Sequence, residues 1–213
     1  HHLLRRQRQM CIRDRGKPVV VLKTGSSAIG SNLTVSHTGS LSGSAELYEA
    51  LFQRVGIISV TNPSQLLETL KFLCVVGTPK GKQVVGFTCS GGGATMLADH
   101  AEKIDLTFPE FKSTQQTELS ALLPDIATVS NPLDYTTPIW GHAEMTYPVF
   151  AKAISAIEAD TAVLVQDYPA AEIDSSKVYY RNDAMAFARA SKEQGLPAII
   201  LSLIHISEPT RRY

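Results

Sequence analysis

The chain has 213 residues, of which 44% are hydrophobic and 19% are charged, a composition typical of a globular protein with one or two domains. Its formal net charge is zero, but 1–15 and 201–213 carry seven of the twenty basic and two of the twenty acidic residues, so 16–200 keeps 13 basic and 18 acidic residues and a net charge of −5. This mildly acidic middle has no basic stripe, which argues against nucleic-acid binding.

The first part of the chain predicts alternating strands and helices. "PVVVLK" (18–23) predicts a buried strand, and "IISV" (57–60) predicts a second one. Ser44 is expected to cap a helix that ends at Gly56, and Asn62-Pro63 to begin another with proline at its first position. The apolar faces of these helices are predicted to consist of Leu47, Ala50, Leu51 and Val55 in the first, and of Leu66, Leu67, Leu70 and Leu73 in the second.

A Gly-, Pro- and Lys-rich stretch, "GTPKGK" (77–82), predicts an internal boundary, and a new series of elements follows it. Strands are predicted at 83–89, 161–166 and 197–200, and helices at 90–104, 142–158 and 177–194. Ser113 and Gln116 predict a capping box for a further helix that reaches about Leu123. Short hydrophobic strands separated by helices imply an α/β fold with parallel sheets covered on both faces.

The cysteines and the hydrophobic runs predict the setting. Cys11, Cys74 and Cys89 are widely spaced, without a CxxC or Cys/His ligand pattern, so we expect neither a structural metal site nor a disulfide framework. No apolar run approaches eighteen residues and there is no signal-peptide pattern, so no membrane span is expected. These features favour a reducing, cytoplasmic setting.

The two ends resemble translated sequencing-adapter read-through, as in "QRQMCIRDR" and "LSLIHISEPTRRY". We therefore predict that 1–15 is an adapter-derived or disordered arm and that 201–213 is an adapter-derived tail. A basic N-terminal arm is the alternative, but no periodicity supports it. On this interpretation 16–200 is an internal fragment of a longer protein.

His37 lies in a stretch of Ser, Thr and Gly that carries no other charge between Thr24 and Ala45. Such a stretch buries little apolar surface, so packing does not explain it. An imidazole is largely neutral at pH 7, so a ring nitrogen can attack an electrophile such as phosphorus. A surface histidine on a flexible loop is the alternative that the isolated residue favours.

Three consecutive glycines in "FTCSGGGATML" connect a strand to a helix. Gly91, Gly92 and Gly93 let the backbone approach a ligand, and the first free amides, expected near Ala94 and Thr95, would point outward with the positive end of the helix dipole. This pattern is suited to a phosphate. A tight turn that needs small residues explains the stretch about as well, and neither GxGxxG nor GxSxG is present.

Four further residues are candidates of lower weight. In "SNPLDY" (130–135), Asp134 could orient backbone amides, although turn chemistry alone explains the motif. His100 and His142 are isolated, which favours a surface position. Asp167 follows a predicted strand, where ligand residues often lie.

Taken together, the motifs resemble the NDP-forming acyl-CoA synthetases, the acetate–CoA ligases (ADP-forming) of the succinyl-CoA synthetase superfamily. The resemblance covers essentially all of 16–200 and is carried by "KPVVVLKTGSSAIGSNLTVSHTGSLSGSAELYEALFQRVGIISV", "FTCSGGGATMLADHAE", "LLPDIATVSNPLDYTTPIW" and "VLVQDYP". It implies two flavodoxin-like units with doubly wound, mostly parallel sheets. The first (16–78) would be the truncated C-terminal part of its domain, and the second would span 83–200.

The resemblance also implies a reaction, acyl-CoA + ADP + phosphate ⇌ carboxylic acid + CoA + ATP. In such enzymes a loop histidine takes the phosphoryl group from an acyl phosphate and delivers it to a nucleotide. The match to SHTG assigns this role to His37, with Ser36, Thr38 and Gly39 supporting the loop. The triglycine turn, Gly91–Gly93 with Ala94 and Thr95, would then hold the phosphorylated histidine.

The family's CoA-binding domain and its ATP-grasp domain have no counterpart in this sequence. CoA, ATP or ADP, and Mg²⁺ are therefore expected only in the full-length enzyme, whose missing domains would lie in the same chain or in a partner chain. We expect a small-molecule substrate, no nucleic acid and no membrane partner. The chain alone is expected to bind none of these cofactors and to be inactive.

Two other functions compete with this interpretation. Some relatives form a regulatory module of a protein acetyltransferase without ligase activity, and the intact SHTG loop (36–39) favours the ligase over that module. A flavodoxin-like mononucleotide binder lacks a recognisable flavin loop.

Overall fold

The computed structural model describes residues 16–30, 33, 44–169 and 175–202. The chain divides into two compact units between Thr78 and Pro79, inside the predicted boundary stretch 77–82. Among the described residues, no helix is both long and apolar enough to cross a bilayer.

The described part of the first unit contains a parallel pair of strands, two helices and further helical residues at 28–30 and 33. The strands and the two helices are β1 (Val20–Leu22), α1 (Ala45–Val55), β2 (Ile58–Val60) and α2 (Pro63–Val75). The predicted caps are confirmed: the Ser44 Oγ accepts the Leu47 N–H (3.3 Å), the Asn62 Oδ1 accepts the Gln65 N–H (2.8 Å), and Gly56 ends α1 with a φ of +66°. Local capping chemistry therefore determines where both helices begin.

The predicted apolar faces of α1 and α2 are wrong in part. Leu47 is 71% exposed and Leu67 is 66% exposed, whereas the buried residue of α1 is Phe52. These leucines are exposed because the two strands described in this unit form a narrow sheet. Its surface is too small to cover the apolar faces of both helices. Helical spacing gives the direction of an apolar stripe but not how much of it is covered.

The described strands of the second unit are β3 (Val84–Thr88), β4 (Leu133–Asp134), β5 (Thr161–Gln166) and β6 (Ala198–Ser202). These four strands form a parallel sheet in the order β4–β3–β5–β6. Its helices are α3 (Gly91–Glu102), α4 (Ser113–Ser120), α5 (Ala143–Ala156) and α6 (Lys177–Glu193), with a 3₁₀ turn at Thr137–Ile139. The predicted α/β class with parallel sheets is confirmed.

Three element boundaries differ from the sequence prediction. The last strand continues past 200 to Ser202, which pairs with Gln166, so it enters the segment 201–213. Leu133–Asp134, expected as a turn, is a short strand beside Phe87 and Thr88. The predicted capping box of Ser113 and Gln116 is wrong: α4 has Lys112 as its N-cap, the Gln115 Oε1 accepts the N–H of Lys112 (2.7 Å), and the lysine side chain has no acceptor to complete a box.

The sheet of the second unit is covered on both faces. On one face Phe87 packs against Phe150 and Phe187, at ring-centroid distances of 5.1 and 5.8 Å. On the other face Val84, Val163 and Val165 pack against Leu97, Leu106 and Phe108. Since side chains alternate along a strand, Thr88 and Asp134, the last residues of β3 and β4, face the side of the sheet opposite Phe87 and Leu133.

Candidate functional site

The predicted nucleophile lies outside the described residues. This applies to His37 and to its predicted supporting residues Ser36, Thr38 and Gly39. The role of His37 therefore stays a prediction from the sequence. The structure does describe Ser44, the residue that caps the helix directly after this stretch.

The glycine turn connects β3 to α3 at the carboxyl end of the sheet. Ser90 is the N-cap of α3, and its Oγ accepts the N–H of Gly93 at 3.4 Å. The N–H groups of Gly91 and Gly92 have no acceptor within the described ranges, and both glycines are exposed. Two backbone donors are thus available at the positive end of a twelve-residue helix.

The available donors lie earlier in the helix than the sequence predicts. The Ala94 N–H donates to the Ser90 carbonyl at 3.0 Å, so this amide is used inside the helix, which begins at Gly91 rather than after the glycine run. The Thr95 side chain is also used there, since its hydroxyl donates to the Gly91 carbonyl at 3.0 Å. A ligand can therefore use the amides of Gly91 and Gly92 but not that of Ala94.

Packing within the protein explains only one of the three glycines. A Cβ on Gly93 would lie 2.6 Å from the Oγ1 of Thr88, a distance that real Cβ atoms do not show. A Cβ on Gly91 or Gly92 would meet nothing nearer than 3.6 Å, and neither residue has a positive φ. Packing among the described residues therefore does not require glycine at either of these two positions.

A carboxylate lies beside the glycine turn. Asp134 pairs with Thr88 across the sheet, and its Oδ1 accepts the N–H of Thr136 at 2.9 Å. The Oδ2 lies 3.6 Å from the position that a Cβ on Gly91 would occupy. This bond to the N–H two residues later is an Asx turn, so the turn chemistry that the sequence favours accounts for it. The structure adds the proximity of the carboxylate to Gly91.

The short strand β4 (Leu133–Asp134) is extended by a side chain. The Oδ1 of Asn131 accepts the Gly86 N–H at 2.9 Å, and its Nδ2 donates to the carbonyls of Val84 (2.9 Å) and Pro109 (3.0 Å). Asn131 thus bonds to the backbone of β3 where β4 has not yet begun. The asparagine of the NPLD motif positions the strand, a role that the turn interpretation missed.

A buried carboxylate anchors the segment that follows β4. Asp183 of α6 is fully buried and accepts hydrogen bonds from the Tyr135 hydroxyl (2.8 Å), the Gly141 N–H (3.1 Å) and the Thr146 hydroxyl (3.0 Å). Burial raises the pKa of the Asp183 carboxyl, and burial together with the Asp183 charge holds the pKa of Tyr135 well above its usual value. Sequence reasoning missed Asp183 because its partners lie 37 to 48 residues away along the chain.

A strained backbone position, Thr136, and a half-buried thiol, Cys89, lie at the same end of the sheet as the glycine turn. Thr136 has a φ of +68° and a ψ of 152°, a conformation nearly restricted to glycine, which costs about 1–3 kcal/mol. The thiol of Cys89, half-buried between β3 and the glycine turn, has its pKa raised to about 11, chiefly by burial and then by the charge of Asp183. The hydrogen bonds to Asp134 and Asp183 hold the strained segment in place.

One of the remaining candidates lies at this end of the sheet. Asp167 is half-buried and follows β5, the strand beside β3, and its charge contributes to the raised pKa of Cys89. His100 is exposed on α3, as predicted. His142 lies beside Glu144, with 3.5 Å between Nδ1 and Oε1, and its ring lies 6.4 Å from that of Tyr179. Within the described ranges, no three His, Cys, Asp or Glu side chains are grouped as a metal site would require.

Comparisons with known proteins agree on one family. Residues 5–73 match the succinyl-CoA ligase like flavodoxin domain. The chain is 36% identical over 118 residues to the alpha subunit of acetate–CoA ligase (ADP-forming) II of Pyrococcus furiosus, which covers 55% of this chain and 26% of that protein. It is 31% identical over 118 residues to the acetate–CoA ligase (ADP-forming) of Methanocaldococcus jannaschii, which covers 55% of this chain and 17% of that protein. The chain thus spans about a quarter or less of the length of these relatives.

A solved structure supports the fold. The dinucleotide forming acetyl-coenzyme A synthetase 1 of Ca. Korarchaeum cryptofilum, in complex with phosphate and ADP, aligns with a TM-score of 0.72 and 22% identity. The alignment covers 86% of this chain and 38% of that chain. At this identity the likeness establishes the shared flavodoxin-like fold.

Proposed function

Because the chain belongs to the NDP-forming acyl-CoA synthetase family, we propose that it is part of an acid–thiol ligase that interconverts acyl-CoA, ADP and phosphate with a carboxylate, CoA and ATP. Phosphate displaces CoA from the acyl group, and the resulting acyl phosphate gives its phosphoryl group to the imidazole of His37. ADP then takes that phosphoryl group to form ATP. The relatives that carry this activity in their names support the assignment.

One observation carries the role of the second unit in this reaction. Gly91 and Gly92 present exposed amides at the start of α3, and packing within the described chain does not require glycine at either position. Backbone donors at a helix N-terminus are a common binding site for phosphoryl groups. We assign them the phosphorylated His37 imidazole as ligand, with Gly93 keeping the turn close to Thr88.

The composition of 24–44 supports the role of His37. A loop of Ser, Thr and Gly moves at little cost, and a phosphoryl carrier has to visit two sites in turn. Ser36, Thr38 and Gly39 support the loop in this proposal. A neutral imidazole can take up the phosphoryl group without a separate base.

The other parts of the reaction belong to segments outside this chain. CoA, ADP and Mg²⁺ are assigned to CoA-binding and ATP-grasp domains in the same chain or in a partner chain. The chain spans only 26% and 17% of the length of two of its relatives, which supports this division of roles. We predict that the chain alone does not catalyse the reaction, and the cysteine pattern favours a cytoplasmic setting.

The test measures ATP formation by the protein extended to the length of its relatives, with acetyl-CoA, phosphate, ADP and Mg²⁺. We expect His37→Asn to abolish the reaction and Gly92→Ala to lower its rate at least tenfold. Glu102→Gln, at the far end of α3, is the matched control and should leave the rate unchanged. ATP formation at the normal rate by His37→Asn would contradict the proposal. Binding of acyl-CoA without any ATP formation would instead favour the regulatory module of a protein acetyltransferase.

A further inference from the structure

We propose that Lys23 is a positioning residue for the phosphoryl carrier: its ammonium group links the residues that flank the stretch containing His37, by lying over the ring of Tyr48. The inference rests on the proposed function, because it concerns how His37 is delivered to its partners. Lys23 acts through the two ends of this stretch and needs no contact with substrate or nucleotide.

Lys23 is the last charged residue before the stretch of Ser, Thr and Gly. Between Lys23 and Glu46, His37 is the only side chain that can carry a charge. Gly25 has a φ of +71°, so the chain turns away from β1 (Val20–Leu22) directly after Lys23 and Thr24. An electrostatic link between the two ends of the stretch therefore has to come from the residues that flank it.

A series of contacts connects the two ends. The half-buried Lys23 donates from its Nζ to the Thr24 carbonyl at 2.5 Å, and the same Nζ lies 5.0 Å from the centre of the Tyr48 ring. Tyr48 in turn donates its backbone N–H to the carbonyl of Ser44 at 3.3 Å, and Ser44 is the N-cap of α1 (Ala45–Val55). Thr24 at one end is thus joined to Ser44 at the other through Lys23 and Tyr48.

Both partners of this contact are held by the fold. Lys23 continues β1, which pairs in parallel with β2 (Ile58–Val60). The Tyr48 ring packs against Phe52, the buried residue of α1, with 5.9 Å between the ring centroids. Among the described residues no carboxylate forms an ion pair with Lys23, so the face of the Tyr48 ring is the partner of its charge.

The link matters because a tethered group reaches its partners at an effective concentration that depends on where its tether is held. The stretch 24–44 contains 21 residues, mostly small and flexible, so the spacing of its ends is a main restriction on where His37 can go. A cation over an aromatic ring at a partly exposed site changes an equilibrium by about two- to fivefold. Loss of the contact should therefore slow the relay by about this factor and leave the binding of ADP and phosphate unchanged.

The experiment measures kcat and KM for ATP formation by the protein extended to the length of its relatives, with acetyl-CoA, phosphate, ADP and Mg²⁺. We expect Lys23→Met and Tyr48→Leu each to lower kcat about two- to fivefold with KM for ADP and phosphate unchanged, and the double variant to be no slower than the slower single variant. Lys23→Arg and Tyr48→Phe retain the cation and the ring, so each should keep the wild-type kcat. Lys17→Met, which removes an exposed cation before β1, is the matched control and should also keep it. Thermal unfolding of each variant verifies that it remains folded.

The variants separate a failure of this inference from a failure of the proposed function. If the losses from Lys23→Met and Tyr48→Leu add up in the double variant, the two residues act independently and the inference is wrong. It is also wrong if Lys23→Arg is as slow as Lys23→Met. If Lys23→Met keeps the wild-type kcat while His37→Asn forms no ATP, the inference fails and the proposed function stands. If His37→Asn forms ATP at the normal rate, the proposed function fails and the inference fails with it.

Discussion

Replacing Gly92 with alanine tests whether this glycine is required for ligand binding or for folding, because the substitution should affect the two in opposite directions. The Cβ meets nothing within 3.6 Å and the backbone conformation is one that alanine adopts, so the helix should gain about 0.5–1 kcal/mol. For a domain of this size the gain corresponds to a rise in Tm of roughly 1–4 °C. Because Cβ atoms in a helix tilt toward its N-terminus, the new methyl group enters the space in front of the free amides. We therefore expect the variant to be more stable and to bind phosphate at least tenfold more weakly.

Gly93→Ala is the contrasting variant. Its Cβ would lie 2.6 Å from the Oγ1 and 3.4 Å from the Cβ of Thr88, which is buried and stiff at χ1. Overpacking of this kind costs about 1–3 kcal/mol. Adding Thr88→Ala removes the closest atom, so the double variant should recover most of the loss that Gly93→Ala causes.

The assay measures Tm by differential scanning fluorimetry and phosphate affinity by phosphorus NMR for each variant. Opposite signs for Gly92→Ala, with stability raised and binding lowered, are the expected result. If Gly92→Ala lowers stability, the turn has a folding requirement that its open surroundings do not show. If it binds phosphate as well as the wild type, the two glycines do not serve a phosphoryl ligand and the reasoning is refuted.

Four further predictions concern the buried groups and the division into two units. Asp183→Ala leaves three buried donors without an acceptor and should lower the free energy of unfolding by at least about 3 kcal/mol in urea titrations; a loss under about 1 kcal/mol would contradict this. Since the folded state raises the pKa of Asp183, this carboxyl takes up its proton at a higher pH in the folded protein than in the unfolded chain, so the stability of the wild type relative to Asp183→Asn should increase as the pH falls toward 3.8, and a constant difference would count against it. Cys89, whose pKa is about 11, should react with iodoacetamide at pH 8 about a hundredfold more slowly than the exposed Cys74, measured by mass spectrometry, and equal rates would exclude the buried environment. Limited proteolysis should cut before Gly81 while 83–200 stays protected, and even protection of both parts would contradict independent folding of the second unit.

Local chemistry predicted the helices and most strands well. Ser44 and Asn62 have side chains that accept the first helix amides, and such caps depend only on a few neighbouring residues. The buried strand 83–89 and the boundary at 77–82 also rest on local composition. These features could be predicted because the sequence segment that determines each of them is short.

Other features depend on residues that are distant in the chain. Leu133–Asp134 is too short to carry a strand signal, and Asn131 holds it against β3 (Val84–Thr88) by bonding to Gly86, which lies 45 residues away in the chain. Asp183 shows no local motif, since its partners lie across the unit. The sequence predicts the available amides near Ala94 and Thr95, after the glycine run, whereas Ser90 caps the helix before that run. A serine before a helix start is itself a capping signal that could have located them.

The most direct test of the account maps phosphate on the chain extended to the length of its relatives. The protein is incubated with acyl-CoA, phosphate and Mg²⁺ but without nucleotide, and acid-labile phosphate is located by mass spectrometry, with His37→Ala as the control. The account predicts phosphate on His37 that disappears when ADP is added and that is absent from the control. Phosphate on another residue, or no phosphate in a protein that still binds acyl-CoA, would contradict the account.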